Sequence, residues 1–395
     1  MLIVLPGALP ASPPIADELA KRLPSTAPTL HAWLRAADAR ASTFDPHEAG
    51  CTPYEAWQLD RAGFRPAPGQ QVGAGLGPLL ASVSMSRPLH APSAAAPTSH
   101  AAQAAPIPNG IPPLAANADL AWPDSTPIWI ADLTHVALST ESAKLLPVEA
   151  LSLSAEENAA LFAAAQPLFE GTGFAAQPLE PGRWRIQLPA DLHPRIASPA
   201  AVGGQSLSGW WNQDAAVRPW RRLINEIQMV WHDHPVNEAR AERGLPPVNT
   251  LWLYGGAAPW PFASGVPTQA PVAVTAAAAA GAPRSATPSA TSAASATSAN
   301  DGSASSPSQQ TQIVEDLLPA FAAEDWGTWL NALQHMDSHV FRPLSDARGL
   351  PLQPVELLLL GRDRRVDLTL KPRSRLLGWL PSSAKNWSAW WSPRA

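Results

Sequence analysis

The chain has 395 residues, room for one large or two ordinary domains, and carries 45 prolines and 17 tryptophans. A formal net charge of −5 gives no electrostatic ground for a nucleic-acid partner. A single cysteine, Cys51, excludes a disulfide scaffold and suits a reducing compartment. No apolar run is long enough to span a bilayer, and Leu2 to Leu5 lacks a basic leader, so a cytoplasmic protein without membrane contact is expected.

Leu2 to Leu5 reads as a short buried strand. Pro13 and Pro14 open a helix through Arg22, since proline suits a first helical turn. Thr29 to Arg40 reads as a second helix with Leu30, Trp33 and Leu34 on one face. Thr52-Pro53-Tyr54-Glu55 has the form of a capping box, so a third helix is expected from there to Ala62. Gly73-Ala74-Gly75-Leu76-Gly77 lacks the preceding strand and the lysine of a phosphate loop and reads as a plain turn. From Ser84 to Pro127 alanine, proline and serine dominate, the composition of a flexible insertion.

Ile128 to Leu138 is strand-like, and a further strand is expected within Leu145 to Leu153. Ser154 to Glu157 forms a second capping box for a helix ending near Phe169. Trp184 to Leu188 alternates like a strand after the Pro181-Gly182 turn. Ile224, Ile227, Val230 and Trp231 share one helical face, and Val236 to Arg243 forms a short charged helix. Gly244 stands where a helix end wants a left-handed residue, and Pro246 and Pro247 forbid continuation. Asn249 to Tyr254 is a buried strand ending in Gly255-Gly256, a place where backbone can approach a ligand closely.

Residues 263–310 are low-complexity and cannot bury enough surface to fold. Ile313 to Met336 resumes helical periodicity through Leu317, Phe321, Trp326, Trp329, Leu330 and Leu333. Val355 to Leu360 and Arg365 to Leu370 form a hairpin turned at Gly361-Arg362-Asp363. Trp379, Trp387, Trp390 and Trp391 crowd the tail, either as a surface for a protein partner or as a cover for an apolar patch. The chain thus divides into an N-terminal strand-helix part (1–83), an insertion (84–127), a middle segment (128–262), a linker (263–311) and a C-terminal part (312–395). An α/β class follows, with a mixed sheet flanked by helices and long disordered insertions.

His234-Pro235-Val236-Asn237, Arg240, Gly244, Pro247, Asn249 and Leu251-Trp252-Leu253, in that order, resemble a signature of the archaeal-type cofactor-independent phosphoglycerate mutases of the alkaline phosphatase superfamily. They are closer to a bacterial offshoot labelled either phosphoglycerate mutase or RpfE-type regulatory protein. The block from 128 to 190, with Asp132-Leu133-Thr134-His135, resembles the substrate-side subdomain of that family. The resemblance implies a degenerate alkaline-phosphatase-like fold. It also implies that His234, Asn237, Arg240 and Asn249 bind substrate, with Arg240 as a fork for a carboxylate or phosphate. A purely structural role is equally open, with Asn237 and Asn249 satisfying loop backbone and Arg240 paired with Glu226 or Glu238.

Members of that family use two divalent metals, Mn or Mg, and a serine or threonine nucleophile at a helix N-terminus, where metal and dipole favour the anion. Their first aspartates follow the N-terminal strand; here those positions are Pro6 and Pro10, which carry no ligand atom. Gly63-Phe64-Arg65-Pro66 resembles the end of the nucleophile helix, and counting back places Tyr54 at the serine. Thr52 is the substitute nucleophile if the chain is active, and otherwise a helix cap. Cys51 beside it is a candidate reactive thiol without an identified base. His335 and His339 can share one helical face, but their run does not reproduce the family motif, and no metal site is expected. His232 and His234 point apart on a helix. The expected function is ligand binding or regulation by a mutase-like pseudoenzyme that needs no cofactor and recognises a phosphorylated small molecule. The alternative is an active 2,3-bisphosphoglycerate-independent phosphoglycerate mutase with two metals, interconverting 2- and 3-phosphoglycerate.

Overall fold

Proline and capping chemistry fix most helix starts, and strand pairing sorts the rest of the chain into two sheets. The computed structural model describes residues 1–86, 126–139, 142–211, 213–263, 310–372 and 386–392. The first stretch runs β1 (Leu2–Leu9), α1 (Pro13–Thr26), α2 (Pro28–Ala36), β2 (Asp38–Thr43), α3 (Pro46–Ala49), α4 (Pro53–Arg61) and α5 (Leu76–Ser86). The middle holds β3 (Ile128–Leu138), β4 (Ala143–Leu146), α6 (Val148–Leu151), α7 (Ala155–Ala165), β5 (Ala175–Glu180), β6 (Arg183–Gln187), α8 (Pro199–Val202), α9 (Arg218–His232), α10 (Pro235–Glu242) and β7 (Thr250–Ala257). The last stretch adds β8 (Thr311–Ile313), α11 (Leu318–Ala322), α12 (Trp326–Met336), β9 (Val355–Gly361), β10 (Arg364–Leu370) and α13 (Ser388–Trp391).

Instead of the single mixed sheet expected, the α/β fold has two five-stranded sheets. The first is mixed, in the order β2-β10-β9-β1-β8, with β1 parallel to β8 and β9. The second is antiparallel and centred on β3, which pairs with β7, β6 and β4. Helices α1, α2 and α12 cover one face of the first sheet, burying Ile3, Leu5, Trp33, Trp329 and Leu357. On the second sheet α7 and α9 bury Trp129, Trp184, Trp231 and Leu253.

Helix α4 lies between the sheets. Tyr54 and Trp57 pack on Val4, Leu358 and Leu360 of the first, while Leu59 packs with Ile130, Trp252 and Tyr254 of the second. The Arg362 guanidinium in the β9–β10 turn donates to Gly203 O after α8, a second link between them.

Several sequence expectations are corrected. The second helix stops at Ala36 rather than Arg40, and Asp38–Thr43 becomes an exposed edge strand because β10 supplies its partner. The strand sought within Leu145–Leu153 ends at Leu146 and gives way to α6. Gly73 to Gly77 is a 3-10 turn leading into α5, not a plain turn: a Cβ on Gly77 would lie 1.9 Å from Ile128 O, so glycine here permits helix-on-strand contact. Val230 is exposed; Trp220, Leu223, Ile224, Ile227 and Trp231 form the buried face of α9.

The helical run expected from Ile313 begins as β8, and breaks again at Glu324, whose φ of 55° starts a new helix capped by Asp325. β7 extends through both glycines, with φ of 97° and 101°. In the tail, Trp391 is buried against Trp329 and donates to Ala16 O, so it belongs to the first core. The flexible insertion and the low-complexity linker fall almost wholly on residues 87–125 and 264–309, outside the described residues, as does Trp379.

Candidate functional site

Pro6, inside β1 and paired with Leu360, and Pro10, just past the end of the strand, are both buried, and Pro10 O accepts from the Arg364 guanidinium. Nearby, Thr52 caps α4 in a complete capping box. Its Oγ1 accepts from Glu55 N at 3.1 Å and donates to Glu55 Oε2 at 2.9 Å, while its N–H reaches the same oxygen at 2.7 Å. Ser198 Oγ, the cap of α8, donates to that oxygen as well, at 2.7 Å. Burial pushes the Glu55 carboxyl above the usual range. Its acceptor oxygen is therefore committed to tying two helix starts together.

Tyr54, at the counted-back nucleophile position, donates to the Glu315 carboxylate and is raised by burial. Cys51 is fully buried and its thiol is pushed far up by burial, the opposite of a reactive thiolate.

The donor set does not fit a two-metal centre of the kind the resemblance implies. The β1 end offers prolines, and the Thr52 hydroxyl is held by Glu55. Asp337, in the His335–His339 run, spends its carboxylate on the N–H groups of Thr29 and Leu30 at the start of α2.

The four residues of the signature segment lie together around the α10–β7 connection. His234 caps α10, its Nδ1 accepting from Val236 N at 3.2 Å. The Asn237 amide bridges Trp231 O and Val248 O, and its Oδ1 accepts from Val248 N. Asn249 pairs with both backbone groups of Val136 on β3. Arg240, fully buried, donates to Pro246 O, Leu151 O and Glu157. Its ionic partner is thus Glu157 of the second capping box, not Glu226 or Glu238. Burial is the largest single influence on Glu157 and pushes it up, but Ser154 N–H, Arg243 and Arg240 together outweigh it and hold the carboxyl below its ordinary value.

A charged network absent from the sequence reading lies inside the second sheet. Asp132 on β3 is 2% exposed and accepts from Tyr254 Oη at 3.0 Å and from Arg183 Nε at 3.1 Å. The other arms of Arg183 reach Glu180 and Glu149. Burial, reinforced by the charge of Glu149 and only partly opposed by Arg183, pushes Asp132 up to about 7. A carboxyl poised near neutrality inside a domain is the kind of group that marks functional sites. Its signal was present: a lone aspartate in the apolar run Ile128 to Leu133.

The clefts among the described residues include two of contrasting lining. The larger, ≈ 520 Å³, is walled by Phe64, Arg65, Gln70, His193, Gly256 and Trp260, where α4 ends beside the glycine pair of β7. Gln70 Nε2 reaches Gly256 O at 3.4 Å, and Arg65 pairs with Asp60. The smaller, ≈ 50 Å³, is apolar and lies among Trp210, Trp211, Trp220 and Trp252.

No family model and no curated protein matches the chain. Among solved structures it is similar to a cofactor-independent phosphoglycerate mutase from Thermoplasma acidophilum DSM 1728, at 11% identity and a TM-score of 0.30, over 98% of this chain and 94% of that one. It is also similar to the PH0037 protein from Pyrococcus horikoshii, at 10% identity and a TM-score of 0.36, over 98% and 91% of the two chains. At TM-scores this low neither likeness bears on the chemistry of this chain.

Proposed function

We propose that the chain is a phosphoglycerate-mutase-like protein, degenerate in its alkaline-phosphatase-like part, that binds a small phosphorylated ligand in a regulatory role without turning it over. The observation that carries this reading is the donor set around β1 and α4. Proline stands at both positions, 6 and 10, where the resembled family has metal-binding aspartates, and the candidate hydroxyl, Thr52 Oγ1, sits inside a capping box with Glu55. A nucleophile at that place needs a general base or a metal to lower its pKa. Glu55 Oε2 does accept from the Thr52 hydroxyl as a base would, but the same oxygen also takes the Thr52 N–H and Ser198 Oγ, and the prolines offer no ligand atom for a metal beside it.

The ligand belongs in the cleft beside Gly256, whose ≈ 520 Å³ falls within the range of small-molecule pockets. Arg65 supplies a cation at its wall, Gln70 and His193 supply hydrogen-bonding groups, and Trp260 an aromatic face. In this reading His234, Asn237, Arg240 and Asn249 keep β7 and its glycine pair in place. Trp387 and Trp390, half-buried on the tail, are the surface for a protein partner.

The test is a coupled mutase assay on 3-phosphoglycerate with manganese supplied, run beside calorimetric titration of the same compound. Thr52→Ser keeps hydroxyl and cap, whereas Thr52→Ala removes both. Binding without turnover, weakened by Arg65→Ala, supports the proposal. Turnover that survives in Thr52→Ser and vanishes in a folded Thr52→Ala would overturn it and establish the active mutase; absence of binding would remove the phosphorylated ligand.

A further inference from the structure

The cleft beside Gly256 has two kinds of wall. Phe64, just past α4, and Trp260, beyond β7, form an aromatic pair with ring centroids 4.7 Å apart and planes inclined by 46°. Trp260 Nε1 donates to Ala62 O at 2.9 Å, and Phe262, which lies outside the cleft wall, meets the indole edge-on at 4.9 Å. Phe64 is buried and Trp260 half-buried, so both rings are in place before a ligand arrives, the condition for a preorganised site.

The rest of the wall is polar, and its ionisable groups are basic. Arg65 follows Phe64 directly in the chain and donates to Asp60 Oδ1 at 2.8 Å and to Phe64 O at 2.7 Å. His193 joins it, and among the described residues that wall the cleft there is no Asp or Glu. Gln70 Oε1 accepts from Ala67 N at 3.1 Å, and its Nε2 donates to Gly256 O at 3.4 Å. A side-chain amide has two N–H groups and two lone pairs, so each end of Gln70 keeps a second hydrogen-bonding position while the backbone fixes which end is which. A donor and an acceptor side by side match the edge of a nitrogen heterocycle.

A three-carbon phosphate ester such as 3-phosphoglycerate makes no use of this division. Each of its carbons carries oxygen, so it brings polar groups, and no apolar surface, to Phe64 and Trp260. We propose that the ligand of this cleft is a free nucleoside monophosphate. Its base packs on the Phe64–Trp260 pair with its edge toward Gln70, and its phosphate lies on the side of Arg65 and His193. Aromatic rings favour aromatic partners, and a base packed on such a surface gains on the order of 10- to 100-fold in affinity. The inference rests on the phosphorylated-ligand reading above and narrows it to ligands that carry a heteroaromatic ring.

The experiment is calorimetric titration of the full chain with AMP, adenosine and 3-phosphoglycerate. Trp260→Leu keeps apolar bulk without the ring, Trp260→Phe keeps a ring, and circular dichroism checks that each variant is folded. The expected result is AMP binding about tenfold or more tighter than either other compound. Trp260→Leu should remove the advantage over 3-phosphoglycerate, Trp260→Phe should keep most of it, and Arg65→Ala should weaken AMP and 3-phosphoglycerate alike. AMP binding that is no tighter than that of 3-phosphoglycerate, or unchanged in Trp260→Leu, overturns the ring site and leaves the phosphorylated-ligand reading standing. AMP binding matched by adenosine and indifferent to Arg65→Ala overturns the phosphate and that reading with it, and absence of binding by all of these compounds overturns both.

Discussion

Replacing Asp132 by Asn tests whether the buried carboxyl holds its proton in the folded protein. Asp132 faces the Arg183 guanidinium and the Tyr254 hydroxyl, with Glu149 close enough to oppose its charge. Its pKa rises from an ordinary 3.8 to about 7 in the fold. A raised carboxyl binds its proton more tightly folded than unfolded. Its contribution is therefore fully present below the unfolded value near pH 4 and is lost as pH rises through 7. The slope is about 1.4 kcal/mol per pH unit between those limits, so raising the pH from 5 to 8 should cost about 2.7 kcal/mol of unfolding free energy.

Asn has the shape of the neutral acid and does not titrate, so the variant should lack this slope and overtake the parent protein at pH 8. Glu55 is also raised by burial, and His31 and His234 are lowered by it, but these groups are common to both proteins and cancel in the difference. Urea unfolding at pH 5, 6, 7 and 8 reads the effect directly. Parallel pH profiles in the two proteins would refute the reasoning and mean that Arg183 keeps Asp132 ionised throughout.

Three further outcomes can be measured by the same unfolding assay. Arg240→Ala leaves the Leu151 and Pro246 carbonyls without their donor and Glu157 with Arg243 as its remaining cation, and should cost about 2–4 kcal/mol; a loss under 1 kcal/mol would mean that water replaces the guanidinium. Gly77→Ala puts a methyl 1.9 Å from Ile128 O and should cost more than about 2 kcal/mol by prising α5 off β3, whereas an unchanged midpoint would show that α5 moves freely. Trp391→Ala empties a fully buried indole site and its bond to Ala16 O, and should cost about 3–5 kcal/mol; little change would mean that the tail is dispensable to the first core.

What could be read from the sequence was governed by how local its causes are. The capping boxes at Thr52 and Ser154 depend on residues three apart, and both helices begin where those boxes place them. Ile128–Leu138 is long and apolar enough to be a strand whatever surrounds it. Asp38–Thr43 has no such pattern: all six residues are exposed, and only pairing with Arg364–Leu370, far along the chain, makes them a strand.

The same distance hid the interior of the candidate sites. Arg240 finds Glu157 rather than a neighbour on its own helix, and Arg183 gathers Asp132, Glu149 and Glu180 from three separate elements. The glycines at 73–77 were legible as glycines, but their purpose is close approach to Gly50 O and Ile128 O, contacts no local pattern specifies.

The first sheet is built from the two ends of the chain, which sets an order on its birth at the ribosome. At about 5–20 residues per second, the roughly 350 residues between Leu2 and its partner Glu356 take on the order of 20–70 s to emerge. Every strand of the second sheet has been made well before then. Ile3, Val4 and Leu5 must meanwhile wait without their neighbours on β8 and β9, with apolar side chains open to whatever is near. The nascent protein should therefore pass through a stage with a finished middle and an unfinished beginning, and that beginning is the part most in need of a chaperone.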